Sequence, residues 1–138
     1  MIPQGTTAER PGSPTDGYIR YNTDLGTFEG YSNSQWSGLG GGNPWTTKLV
    51  SYTAVNNDRI FADVSGGSIT ITLPATPSVG DNVRIVDVSG TSQTNPITIA
   101  RNGEKIMNDA SDMTVDVNFM GIGLVYSGST YGWVTQEL

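Results

Sequence analysis

Any catalysis by this chain would have to rely on carboxylates, Lys, Tyr or a bound cation. It contains neither histidine nor cysteine. That removes the usual general base of a nucleophilic triad, the commonest metal ligand, and any thiolate nucleophile or zinc site. The densest acidic run is NDASDMTVD at residues 108–116, which holds Asp109, Asp112 and Asp116. On a strand over 112–118, Asp112, Thr114, Asp116 and Asn118 share one face, opposite Met113, Val115 and Val117. Carboxylate and amide oxygens so placed suit a hard cation such as Ca²⁺, or the hydroxyls of a sugar. The spacing is not that of an EF-hand loop, and a solvated strand face whose charges deter sticking produces the same pattern. The three aspartates therefore stand as metal candidates beside that plainer reading. Two carboxylates can also hydrolyse a glycosidic bond. The remaining acids, however, read as turn and ion-pair residues: Asp58 beside Arg59, Asp81 close to Arg84, Glu104 beside Lys105. No catalytic set emerges, so neither an enzyme nor a cofactor is expected.

The elements carrying these residues are strands. The chain has 138 residues with 18 glycines and 7 prolines, and no long segment shows the 3.6-residue apolar period of an amphipathic helix. Thr, Val, Ile and Tyr alternate with polar residues between Gly, Asn-Gly, Ser-Gly and Pro, which predicts an all-β fold. Seven basic residues are scattered among thirteen acidic ones, for a net charge of −6. A nucleic-acid binder needs a basic surface to displace counterions from phosphates, and anionic lipid is disfavoured for the same reason. MIPQGTTAERPGSP lacks the basic start and apolar run of a signal peptide, and no segment approaches a membrane span. Synthesis in the cytoplasm without membrane insertion is the expectation.

Residues 1–16, with Pro3, Pro11 and Pro14, predict an extended arm. Residues 17–36, GYIRYNTDLGTFEGYSNSQW, predict an aromatic β-ribbon turning at Asp24-Leu25-Gly26. GLGGGNP at 38–44 is the candidate linker; it lacks the GxGxxG or Lys-Ser/Thr signature of a phosphate loop. The boundaries expected are therefore 1–42 for arm and ribbon, and 43–138 for an antiparallel β-sandwich or jelly-roll-like domain. In that domain Ser68–Leu73 alternates cleanly, and Asn82–Val88 changes parity near Val86, as a bulge would. Asn102-Gly103 suits a two-residue hairpin turn, and Met113, Val115, Val117 and Phe119 alternate with polar residues. Residues 122–126 and 131–134 predict a closing hairpin, and Trp45 and Trp133 read as core. The tetrapeptide Asp-Val-Ser-Gly occurs at 63–66 and 87–90, each time ahead of an Ile-Thr-Ile strand. With two copies at unequal spacing, reuse of turn vocabulary is the simpler account than a solenoid.

A ribbon of two or three short strands cannot cover its own aromatic residues. The residues concerned are Tyr18, Ile19, Tyr21, Phe28, Tyr31 and Trp36, and they are the candidate assembly and attachment surface. Their setting resembles a module of tailed-bacteriophage virion proteins, especially tail fibres. The similarity lies in Gly5-Thr6-Thr7, Arg10-Pro11, Gly17, Ile19-Arg20-Tyr21-Asn22-Thr23, Phe28-Glu29-Gly30-Tyr31 and Trp36. The second half is also similar to phage fibre and appendage domains. There it rests on Asp58-Arg59-Ile60, Ile69–Pro74, Val79-Gly80-Asp81, Ala100–Gly103 and Tyr131-Gly132-Trp133. The resemblance implies a homotrimeric structural protein of the virion, bound to other virion proteins, with host-surface glycan as a further partner. The chain shows no fibre shaft, so a short adhesive appendage is expected. A trimeric capsid decoration protein is the alternative, and a carboxylate-based glycan hydrolase a remoter one.

Overall fold

The computed structural model describes residues 1–39 and 43–136, and the chain divides into two compact units, Met1–Pro44 and Trp45–Leu138. The centre of the glycine-rich linker, residues 40–42, lies outside the described residues. Both units are all-β. Among the described residues no helix is long and apolar enough to cross a membrane.

The first unit is one four-stranded sheet of β1 (Gln4–Gly5), β2 (Ile19–Asn22), β3 (Thr27–Ser32) and β4 (Gln35–Gly38), in that order. Strands β2 to β4 form an antiparallel meander, as the turn residues predict. The expected arm is not free. β1 runs parallel to β2, with Tyr21 N–H donating to Pro3 O and Thr23 N–H to Gly5 O. A single 3₁₀ turn, Thr7–Glu9, then leads to Arg10. Proline and glycine point to an extended arm or coil, and a parallel edge strand needs only alternate backbone groups to pair.

The second unit contains two sheets that share one hydrophobic core. The first comprises β5 (Trp45–Lys48), β7 (Asp58–Ala62), β9 (Asn82–Asp87), β12 (Gly121–Tyr126) and β13 (Trp133–Gln136). The second comprises β6 (Tyr52–Thr53), β8 (Ile69–Thr72), β10 (Ile97–Ala100) and β11 (Met113–Val115). The expected antiparallel strand direction is corrected to mixed sheets, because β5, β7 and β9 are mutually parallel neighbours, and so are β6, β8 and β10. The chain passes from one sheet to the other three times in the same sense, making three stacked rungs before antiparallel strands complete each sheet. The repeated Asp-Val-Ser-Gly marks the turns of the second and third rungs. Ala62, not Asp63, is the register partner of Asp87, so the two copies are one residue out of phase. Unequal turns between sheets hid the repeat from a search for fixed spacing.

Ile60, Val83, Ile85 and Leu124 of one sheet meet Ile69, Ile71, Ile97, Ile99 and Val115 of the other in that core. Alternation holds through β9 without a bulge: Val83, Ile85 and Asp87 all point inward. The closing hairpin β12–β13 forms as predicted, with Trp133 fully buried. Trp45 is instead 37 % exposed and stacks on Phe61 with ring centroids 4.7 Å apart. Asn102 and Gly103 adopt the positive φ of a hairpin turn, but β10 pairs with the later β11. β11 stops at Val115, which leaves Val117 and Phe119 outside the core.

Candidate interaction surfaces

Cross-strand register sorts the ribbon's side chains onto two faces. Arg20 pairs with Glu29, Tyr21 with Phe28, Ile19 with Gly30 and Tyr31 with Trp36. One face therefore carries Tyr18, Arg20, Asn22, Glu29, Tyr31 and Trp36, and the other Ile19, Tyr21, Phe28 and Gly30. The six candidate assembly residues do not form one surface; they split three and three.

On the first face the buried side chains are polar. Arg20, Asn22 and Glu29 are fully buried, whereas the buried apolar residues of the described chain all belong to the second unit. Arg10 grips Glu29 in a fork, Nε donating to Oε1 at 3.1 Å and Nη2 to Oε2 at 2.6 Å. Asn22 Nδ2 donates to Glu29 Oε2 at 3.1 Å, and Arg20 Nη2 donates to Thr6 O. Burial acts to raise the pKa of Glu29, but the hydrogen bonds from Arg10 and Asn22 and the charges of both arginines outweigh it and hold the carboxyl below its ordinary value. Trp36 closes the cluster, with Tyr18 and Tyr31 against its ring and the guanidinium carbons of Arg10 and Arg20 at 5.6 and 6.0 Å from its centroid. This face is covered by the chain's own N-terminal residues.

The second face is open. Ile19, Phe28 and Leu39 are each about half exposed. Tyr21 meets Phe28 edge-on at 5.1 Å, and Leu39 packs beside Gly30. Ile19, Gly30, Ser37 and Leu39 line a shallow hollow of about 210 Å³ together with Gly17, Tyr18, Tyr31 and Ser32. No formal charge lies among these residues.

The three candidate aspartates are only partly brought together. Asp109 and Asp112 line one cavity of about 310 Å³ with Ile106, Met107, Ser111 and Met113, and Asp116 is not among its lining residues. Asp112 Oδ1 already accepts Arg101 N–H at 3.0 Å. Among the described residues no group of three or more acidic, histidine or cysteine side chains is placed to hold a metal ion.

One buried carboxylate that the sequence did not single out is held by four hydrogen bonds. Asp87 is buried and accepts from Gly90 N–H (2.9 Å), Ser89 Oγ–H (2.8 Å), Ser92 N–H (3.0 Å) and Phe119 N–H (3.1 Å). Burial alone would raise its pKa, yet these hydrogen bonds to the charged form dominate and bring it down to about 2. The signal in the sequence was the apparent parity change at Val86, which marked a carboxylate in a core-facing position.

No family model matches this chain, and a search of curated proteins also finds no match.

Proposed function

We propose that this chain is a structural virion protein of a tailed bacteriophage, a short appendage that assembles as a homotrimer through its first unit and presents its second unit to the host surface. The observation that carries the assembly reading is the first unit's inverted burial. Its interior is an Arg-Asn-Glu cluster, while Ile19, Phe28 and Leu39 stand in water on one uncharged face. A sheet this small gains stability by burying its apolar face against a partner. Copies carrying a net charge of −6 repel one another, so they meet most readily where neither side is charged. The N-terminal residues are then the attachment region to other virion proteins, and the phage assignment rests on the tail-fibre-like residues from Gly5 to Trp36. Light scattering on the purified whole chain tests the assembly: a mass three times that of one chain supports it, and a single-chain mass at every concentration overturns it.

A further inference from the structure

An asparagine side chain is open to attack by the backbone nitrogen of the residue that follows it. A hydrogen-bonded N–H is withheld from that attack, because the bond must first be given up. One such bond slows the step by roughly tenfold.

The structure withholds nearly all of these nitrogens. Asn43 and Asn95 precede prolines, which carry no N–H. Thr23 N–H donates to Gly5 O, Asn57 to Asn82 O, Asp58 to Val55 O and Asp109 to Ile106 O, while Phe119 donates to Asp87 Oδ2. Val83 lies within β9, which is paired on both sides. Ser34 and Gly103 remain, after Asn33 and Asn102, and among the described residues neither N–H makes a hydrogen bond. Gly103 is the more open of the two. Asn102 and Gly103 are both exposed, and nothing lies within 4 Å of the place a Gly103 side chain would take. Ser34 carries a side chain that crowds its own nitrogen.

The Asn102 amide also has a structural task. Its Nδ2 donates to Leu73 O at 2.9 Å, and Leu73 N–H donates to Ala100 O at 2.9 Å. The two bonds clamp the end of β8 to the turn that follows β10. A carboxylate in place of the amide has no donor for Leu73 O and sets one acceptor against another.

We infer that Asn102 is a site of spontaneous covalent modification, and that its conversion opens one side of the Leu73 clamp. Gly103 N attacks Asn102 Cγ, the Cγ–Nδ2 bond breaks, and ammonia leaves carrying the proton from Gly103 N. The cyclic imide then takes up water at either carbonyl. One opening gives aspartate; the other gives isoaspartate, in which the backbone runs through the former side chain. Nothing is oxidised or reduced, and water is the only co-reactant. The inference is independent of the assembly and host-surface readings.

The test incubates the whole folded chain in mildly alkaline buffer, beside a sample unfolded in urea. Peptide mass maps amide-to-acid conversion, and methyltransferase labelling detects isoaspartate. In the folded chain Asn102 should convert roughly tenfold or more faster than any other asparagine, with Asn33 next. Urea should narrow that gap by releasing the engaged N–H groups. A folded chain that keeps Asn102 intact while the unfolded chain converts, or that converts another asparagine first, overturns the site. Asn102→Asp copies one product and keeps a residue that tolerates left-handed backbone. Both it and the aged chain should exchange the Leu73 amide roughly tenfold faster than the fresh chain. Unchanged exchange at Leu73 in Asn102→Asp overturns the clamp.

Discussion

Arg10 and Glu29 close a 2.6 Å ion pair at the centre of the first unit, with the Glu29 side chain 1 % exposed. Breaking a buried, forked pair leaves an uncompensated charge. Glu29→Ala strands Arg20, whose side chain is 3 % exposed, and should destabilise this unit by about 3 kcal/mol. Amide hydrogen exchange of β2 and β3 reads the effect, while β9 and β12 should keep their protection.

Glu29 also gives the first unit an acid sensitivity. Its folded pKa lies below its ordinary value of 4.5, so the stabilisation is complete above that value. It is lost as pH falls through the folded pKa. Exchange in β2–β3 should therefore quicken in acid, and Glu29→Gln should flatten that dependence.

Gly5 is a point of close approach. A methyl group there would come within 2.7 Å of Arg20 Nη2 and 2.8 Å of Glu9 Oε2. Gly5→Ala should push Arg20 off Thr6 and cost about 1–3 kcal/mol, as overpacking does. Loss of protection at Tyr21 N–H, which bonds Pro3, is the direct readout.

Asp87 supplies the second unit's acid dependence. With a folded pKa of about 2 against 3.8, it contributes about 2 kcal/mol above pH 3.8, and this is lost as pH falls toward 2. Asp87→Asn should remove that dependence and speed exchange of the Phe119 amide at neutral pH.

Tyr52 sets an alkaline counterpart. Burial first, and then its hydrogen bond to Asp58 at 2.9 Å, push its pKa to about 12. The neutral phenol is favoured by the fold, so this stability is complete below pH 10 and declines as pH rises toward 12. Tyr52→Phe should show a shallower loss between those limits, measured by ultraviolet titration and thermal unfolding.

Much of the architecture was legible from alternation and turn chemistry. Ile69-Thr70-Ile71, the β12–β13 hairpin and the ribbon meander all form where period-two patterning and glycine turns place them. Parallel stacking was not, because register between parallel strands depends on long connections that carry no local signal. The ribbon's faces were legible in principle. Closing the Asp24–Gly26 turn sets Arg20 opposite Glu29, and a facing pair of opposite charges marks a polar interior. Treating the aromatics as one group concealed it. Asp87 and Phe119 were missed for a different reason: buried-carboxylate hubs and outward aromatics break the apolar-inward rule on which strand reading depends.

The central claim is that the uncharged face of Ile19, Phe28 and Leu39 joins copies of this chain. The most direct measurement compares the solution masses of the original chain, Phe28→Asp and Val79→Asp, the last placing the same charge at an exposed apolar position of the second unit. The account predicts a trimer for the original chain and Val79→Asp, and a monomer for Phe28→Asp with its β2–β3 amides still protected. A Phe28→Asp chain that remains trimeric would contradict it.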